Sequence, residues 1–231
     1  YSVNFGPTVK SNAFTYTQPG MTVLGKNGAA ILSASAVNAA KGTDFGAFLV
    51  GAARVTNTFG VTNTGNQTLT ISSSPLTGSG AGQFAVIGMP AAVAPGAAQN
   101  FKISFNPSVM GTYTATVAIA NNSPLTPYLV HVKGVVNKMT QTITFEAIPA
   151  QNPTNKVALS DTASSGLPVS FSVASGPGLV SAGVLSFSGE TGVVRVVASQ
   201  AGDARYLAAQ PVTNAVTVSK RAQTITFPAI P

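Results

Sequence analysis

The sequence predicts an all-β fold made of two consecutive β-sandwiches. Short runs of the chain alternate apolar and polar residues and end at Gly, Pro or Asn, which is the pattern of strands joined by turns. No segment shows the period of an amphipathic helix. The length of 231 residues is sufficient for two sandwiches that each bury a core of their own. These three observations define the fold class.

The first sandwich is predicted over residues 22–136, and residues 1–21 are either a strand added to it or the tail of a preceding domain. Its clearest strand covers residues 100–105, in which Lys102 and Ser104 should face water. The residues expected to face the core in this strand are Phe101, Ile103 and Phe105. The other predicted strands are residues 54–64, 69–71, 84–87, 112–120 and 128–132.

The second sandwich is predicted over residues 137–220. Its expected strands are residues 142–145, 169–173, 184–187, 193–198 and 215–219. The run at residues 193–198 is almost continuously apolar, which predicts a central strand covered on both faces. In the last strand, Val216 and Val218 should point inward because they alternate with polar residues.

An internal repeat gives the clearest sign of how the chain is organised. Residues 141–149, the first motif, return as residues 223–231, the second motif. The two motifs differ only where Glu146 is replaced by Pro228. A repeated strand at this spacing is typical of a tandem array of domains. Residues 221–231 are therefore expected to be the first strand of a further repeat or a donor strand.

The motifs of the first half resemble a known family. They are Gly-Thr-Asp-Phe-Gly at residues 42–46, Asn-Thr-Phe-Gly-Val-Thr-Asn-Thr-Gly at residues 57–65, and Phe-Asn-Pro at residues 105–107. Their order resembles that of the choice-of-anchor D family, whose Ig-like domains are related to those of Hydin. This resemblance implies an Ig-like β-sandwich over residues 22–136.

The motifs of the second half resemble the Ig-like repeats of large bacterial surface proteins. They are Gln-Thr-Ile-Thr-Phe at residues 141–145 and the segments at residues 163–171 and 198–206. Together the two resemblances imply tandem Ig-like β-sandwiches in a secreted protein with a structural or adhesive role. Neither implies a catalytic site.

Composition argues against several classes of partner. The net charge of +7 comes from 12 basic residues that are scattered along the chain, so no nucleic-acid partner is expected. The chain has no Cys and therefore no disulfide. Pro and Gly interrupt every apolar run before it reaches the length of a membrane span. Only 7% of residues are charged, and such a neutral surface favours close association.

Few residues in the chain carry the side chains that catalysis needs. The single histidine, His131, should be a solvent-facing strand residue, and one His without Cys is too little for a zinc site. A glycosidase pair could be drawn from Asp161, Glu190 and Asp203, but the chain has no Trp to form a sugar platform. The other two carboxylates are Asp44, expected to order a turn, and Glu146. We expect no enzyme, no catalytic residue, no metal and no cofactor.

The second motif contains the one candidate functional site. Its residues Thr224, Ile225, Thr226 and Phe227 form a strand pattern that cannot be stable alone, because its backbone groups and apolar face need a partner. It either begins a further domain or adds to a sheet in a neighbouring molecule. The second possibility links molecules head to tail, and a contact of that kind generates fibres.

These observations predict a structural subunit or segment of an extracellular bacterial fibre. Its partners would be other molecules of the same chain or neighbouring domains of a longer one. The alternative is a cell-surface adhesin or carbohydrate-binding module on a stalk, with glycans or cell-wall components as partners. Asn66-Gln67-Thr68 and Asn121-Asn122-Ser123 also match the pattern of N-glycosylation acceptors.

Overall fold

A computed structural model describes residues 17–227 of the chain. They divide into two compact units. The first comprises residues 17–48 and 52–136, and the second comprises residues 49–51 and 137–227. Strands provide almost all of the regular structure, and the one helical turn described is the short 3-10 helix Ala81–Gln83. The predicted all-β fold is confirmed.

The first unit is a sandwich of two sheets. Its strands are β1 (Met21–Leu24), β2 (Ala30–Ile31), β3 (Asp44–Leu49), β4 (Val55–Asn63), β5 (Leu69–Ser73), β6 (Leu76–Thr77), β7 (Phe84–Ile87), β8 (Ala92–Val93), β9 (Ala98–Phe105), β10 (Gly111–Asn121) and β11 (Tyr128–Asn137). One sheet has the order β2-β1-β4-β9-β7. The other has the order β3-β11-β10-β5-β8, with β6 also paired to β10. All described pairings in this unit are antiparallel.

The core of the first unit is built around Phe105. The Phe105 ring lies 4.8 Å from the ring of Phe84 and 5.9 Å from that of Phe45, measured between ring centroids. Gly134 on β11 makes room for it, because a Cβ at that position would lie 2.4 Å from the Phe105 ring. The predicted inward residues Phe101 and Ile103 are also buried. Alternation along β9 therefore places the aromatic residues inside.

Two buried asparagines connect the loops of the first unit. The Asn63 side chain donates to the carbonyl oxygens of Gln67 (2.7 Å) and Val93 (3.0 Å). Its Oδ1 accepts hydrogen bonds from the N–H groups of Gly20 (3.2 Å) and Gly65 (3.0 Å). All of its hydrogen-bonding capacity is thus used, which is what a buried amide requires.

The buried Asn121 side chain also forms hydrogen bonds to backbone groups. Its side chain donates to the carbonyl oxygens of Ile119 (3.0 Å) and Leu125 (3.2 Å), and its Oδ1 accepts from Ser123 N–H (2.8 Å). Because this amide is buried and occupied, Asn121 is not accessible as a glycosylation acceptor. Asn66, in the other candidate tripeptide, is exposed.

The second unit contains two smaller sheets. Its strands are β12 (Lys156–Ala158), β13 (Ser170–Ser175), β14 (Gly178–Ser181), β15 (Val184–Phe187), β16 (Gly192–Ser199) and β17 (Val212–Val218). One three-stranded sheet has the order β12-β15-β14, and the other has the order β13-β16-β17. Between them lies a core that includes Leu159, Leu185, Val194, Val196 and Val216.

Three expectations from the sequence are wrong in detail. β16 is central, but only one of its faces is covered: Val194 and Val196 are buried, whereas Val193 is 50% exposed. Ser104 is expected to face water but is buried, where it lies between Thr56 of β4 and Ala85 of β7. Residues 142–145 form no strand, and Ile143 makes only an isolated bridge to Ala163, which lies in a turn.

Candidate functional site

The first motif is anchored in the second unit through the amide of Gln141. This side chain is only 6% exposed. Its Nε2 donates to Oε1 of Gln200 (2.7 Å) and to the carbonyl oxygen of Leu207 (2.6 Å). Its Oε1 accepts from the Ser165 hydroxyl (2.5 Å). Gln141 thus ties the loop that contains Ser165 to the loop between β16 and β17 at one end of the motif.

The apolar residues of the first motif complete the core of the second unit. Ile143 is buried, and Phe145 packs against Phe171 with the ring centroids 5.2 Å apart. The backbone is held by Asn214, whose side chain donates to the carbonyl oxygens of Phe145 and of the next residue, at 2.9 and 2.7 Å. Residues 141–146 are therefore recognised along their length by amide, apolar and backbone contacts.

The second motif repeats these residues in a different environment. Residues 223–227 form no strand, and every one of them is exposed. Ile225 is 76% exposed and Phe227 is 85% exposed, whereas the equivalent Ile143 is 8% exposed. The candidate assembly residues thus present two large apolar side chains to solvent. Residues 228–231, the rest of this motif, lie outside the described part of the chain.

An open groove runs along one side of the second unit. It has a volume of about 400 Å³. One wall consists of residues 145–151, which begin in the first motif and continue past it, and the other wall consists of residues 157–161. Its apolar lining includes Phe145, Ile148 and Val157, all of which are only partly buried. Two carboxylates, Glu146 and Asp161, are the charged residues that line it. Sequence reasoning missed this groove because the spacing of its two walls, although they lie close in sequence, depends on how they pack in the fold.

The carboxylates otherwise serve local structure. Two backbone N–H groups, of Arg205 (2.7 Å) and Tyr206 (2.8 Å), bind the Asp203 carboxylate and hold its pKa below the ordinary value for Asp. Asp44 accepts from the N–H of Gly46 (2.9 Å), where the backbone bends through a φ of +87°. Asp203 therefore orders a turn, and Asp44 orders a bend within β3.

His131 lies on β11 with its side chain directed away from the core, between the buried residues Val130 and Val132. It is half-buried, and its Nδ1 lies 2.8 Å from the Thr116 hydroxyl of the neighbouring strand β10. Its role here is a cross-strand hydrogen bond. Over residues 17–227, no three His, Cys, Asp or Glu side chains are grouped so that they could hold a metal ion.

Two tyrosines of the described chain, Tyr113 and Tyr206, make local contacts. The Tyr113 hydroxyl donates to the carbonyl oxygen of Val109 (2.9 Å), and its ring lies 6.0 Å from that of Phe105. Tyr206 is half-buried and bridges to Met139. Among the helices of the described chain, none is long and apolar enough to cross a membrane.

Comparison with known protein families gives one match, within the first unit. Residues 39–135 match the model of the HYDIN/CFA65/VesB-like Ig-like domain. This supports the Hydin-like part of the resemblance seen in the sequence. The choice-of-anchor D label and the surface-protein repeat after residue 136 stay predictions. A search of curated proteins finds none that matches the chain.

Several solved structures are similar in part. A protein of unknown function from Porphyromonas gingivalis W83 is 16% identical, with 53% of this chain and 48% of that chain covered and a TM-score of 0.38. The VesB protease of Vibrio cholerae is 15% identical, with 41% and 29% covered and a TM-score of 0.32. Drosophila N-cadherin EC1-4 is 10% identical, with 75% and 47% covered and a TM-score of 0.28. The matched part spans less than half of each of these three chains. Likenesses this weak carry no conclusion about activity.

Proposed function

We propose that the chain is a non-enzymatic structural segment of an extracellular bacterial fibre built from tandem Ig-like domains. Molecules or neighbouring domains are joined by strand pairing through residues 223–227 and by apolar contacts. One observation carries this proposal: in the first copy of Gln-Thr-Ile-Thr-Phe, Gln141 and Ile143 are buried, whereas every residue of the second copy, 223–227, is exposed. The apolar side chains of the first motif pack inside a unit, so the matching Ile225 and Phe227 are suited to pack against a further domain or a neighbouring molecule.

The surface of the chain supports the proposal. Charged residues make up only 7% of the chain, so few like charges oppose close contact between molecules. Exposed apolar side chains in the second motif provide a local driving force for association. A contact between residues 223–227 of one molecule and a different surface of the next is heterologous, and such contacts give fibres where their rotation does not close a ring.

Removal of residues 223–231 tests this function. The shortened chain should form no filaments in electron micrographs under conditions in which the full chain forms them. The matched control carries Thr224→Ser and Thr226→Ser, which keep the length and the apolar pair of the motif, and it should assemble like the full chain. Filaments that persist after the deletion would contradict the proposed function.

A further inference from the structure

The sheet that borders the groove has an unpaired edge. β12 is the terminal strand of the sheet β12-β15-β14, and its pairing is with β15. In the described part of the chain, residues 156–158 form no backbone hydrogen bond on their other side. An edge strand with free N–H and C=O groups is a template for an added strand.

The groove beside this edge exposes part of the core of the second unit. Phe145, Ile148, Val157 and Phe171 line it, and the same side chains pack against the buried core cluster. Each of them is only partly buried. An added strand that covered these side chains would remove apolar surface from water. It would displace no strand already present, so this burial would favour association.

Residues 223–227 have the shape that this groove would accept. Side chains alternate across a strand, so Ile225 and Phe227 fall on one face and Thr224 and Thr226 on the other. At about 3.3 Å per residue, these residues would extend for about 16 Å. β12 has three residues, Lys156–Ala158, so about 10 Å of the segment could pair with its edge.

Charge matches the segment to the groove. The two charged side chains that line the groove, Glu146 and Asp161, are both acidic. Two basic residues, Lys220 and Arg221, precede the second motif with one residue between, and both are exposed. Opposite charges at the rim of a contact fix its register and favour the correct partner.

From these observations we propose that the groove of the second unit is the acceptor site for residues 223–227 of a second molecule of this chain. The segment adds to the free edge of β12, Ile225 and Phe227 occupy the groove, and Lys220 and Arg221 face Glu146 and Asp161. This inference rests on the proposed function and names the surface that it needs. It also gives the contact a direction, because the donor and acceptor surfaces are different parts of the chain.

A charge-reversal experiment on the full chain tests the acceptor site. The acceptor variant carries Glu146→Lys and Asp161→Lys, and the donor variant carries Lys220→Glu and Arg221→Glu. Each variant alone should associate roughly tenfold more weakly than the wild type in sedimentation velocity, because like charges then meet at the rim. An equimolar mixture should recover wild-type association, because each donor segment then finds a groove of opposite charge.

The control is Glu190→Lys, which makes the same kind of charge change at an exposed residue outside the groove. It should associate like the wild type. Acceptor variants that associate normally, or a mixture that fails to recover, would overturn the groove as the acceptor. If deletion of residues 223–231 still abolishes assembly in that case, the proposed function stands without this site. If the full chain stays monomeric at every concentration, the acceptor site fails, and so does the form of the proposed function in which separate molecules are joined.

Discussion

At the scale of the residue, Gln141 and Gln223 occupy the same position in the two motifs but differ in burial and in hydrogen bonding. Gln141 is buried and makes three hydrogen bonds to Gln200, Leu207 and Ser165. Gln223 is followed by the same four residues in sequence and is exposed to solvent. A buried amide that loses its partners leaves polar groups unsatisfied, whereas an exposed amide exchanges its partners with water.

The substitution Gln141→Ala should therefore lower the free energy of unfolding of the second unit by about 1–3 kcal/mol, because partners of the amide are left without a hydrogen bond. Gln223→Ala, in the matching sequence, should change it by less than about 0.5 kcal/mol. Urea unfolding followed by circular dichroism measures both. Equal effects at the two positions would show that the first motif is not held as described.

Residue-level patterns in the sequence predicted which strand residues face the core but not where polar residues are buried. Phe101, Ile103 and Phe105 alternate as expected, because a strand has a strict period of two. The burial of Asn63 depends on loops that meet from distant parts of the chain, and no local pattern records that meeting. The contacts of Gln141 were missed for the same reason.

At the scale of the element, the hairpin between β14 and β15 carries a strained residue. β14 ends at Ser181 and β15 begins at Val184, so the turn consists of Ala182 and Gly183. Both have positive φ, +47° and +74°. This is the backbone of a type I′ turn, which favours Asn-Gly, and Ala in this conformation costs about 1 kcal/mol.

The substitution Ala182→Asn should raise the stability of the second unit by about 0.5–1 kcal/mol, because Asn tolerates a positive φ. Gly183→Ala in the same turn should lower it by about 1 kcal/mol, since φ is again positive. Its added Cβ would also lie 3.3 Å from the Leu159 carbonyl oxygen. Thermal unfolding of the two variants measures these changes. A loss of stability with Ala182→Asn would contradict the turn.

Elements with a strong local pattern were predicted well, and those set by packing were not. β15 has the bounds expected from its sequence, residues 184–187. The segment at residues 142–145 has an equally good strand pattern, yet its neighbour at residues 162–168 folds back on itself through a Thr162–Pro168 bridge. Only Ala163 of it makes a bridge to the segment, so no ladder forms. The groove beside β12 could not be predicted at all, because it depends on how two sheets pack.

At the scale of the whole molecule, the strength of association depends on what the contact through residues 223–227 contributes. Burial of Ile225 and Phe227 would contribute about 1.5–3 kcal/mol for each side chain. Association also costs several kcal/mol in lost translational and rotational freedom. Strand pairing and rim charges must supply the remainder, so each contact should be of modest affinity and assembly should depend on concentration.

The central claim is that residues 223–227 become a paired strand when molecules associate. Amide hydrogen–deuterium exchange of the full chain, followed by mass spectrometry from dilute to concentrated solution, measures this directly. We expect the amide hydrogens of peptides covering Thr224 to Phe227 to exchange freely in dilute protein and to become protected from exchange as the concentration rises. Amides at these positions that still exchange freely in assembled protein would contradict it.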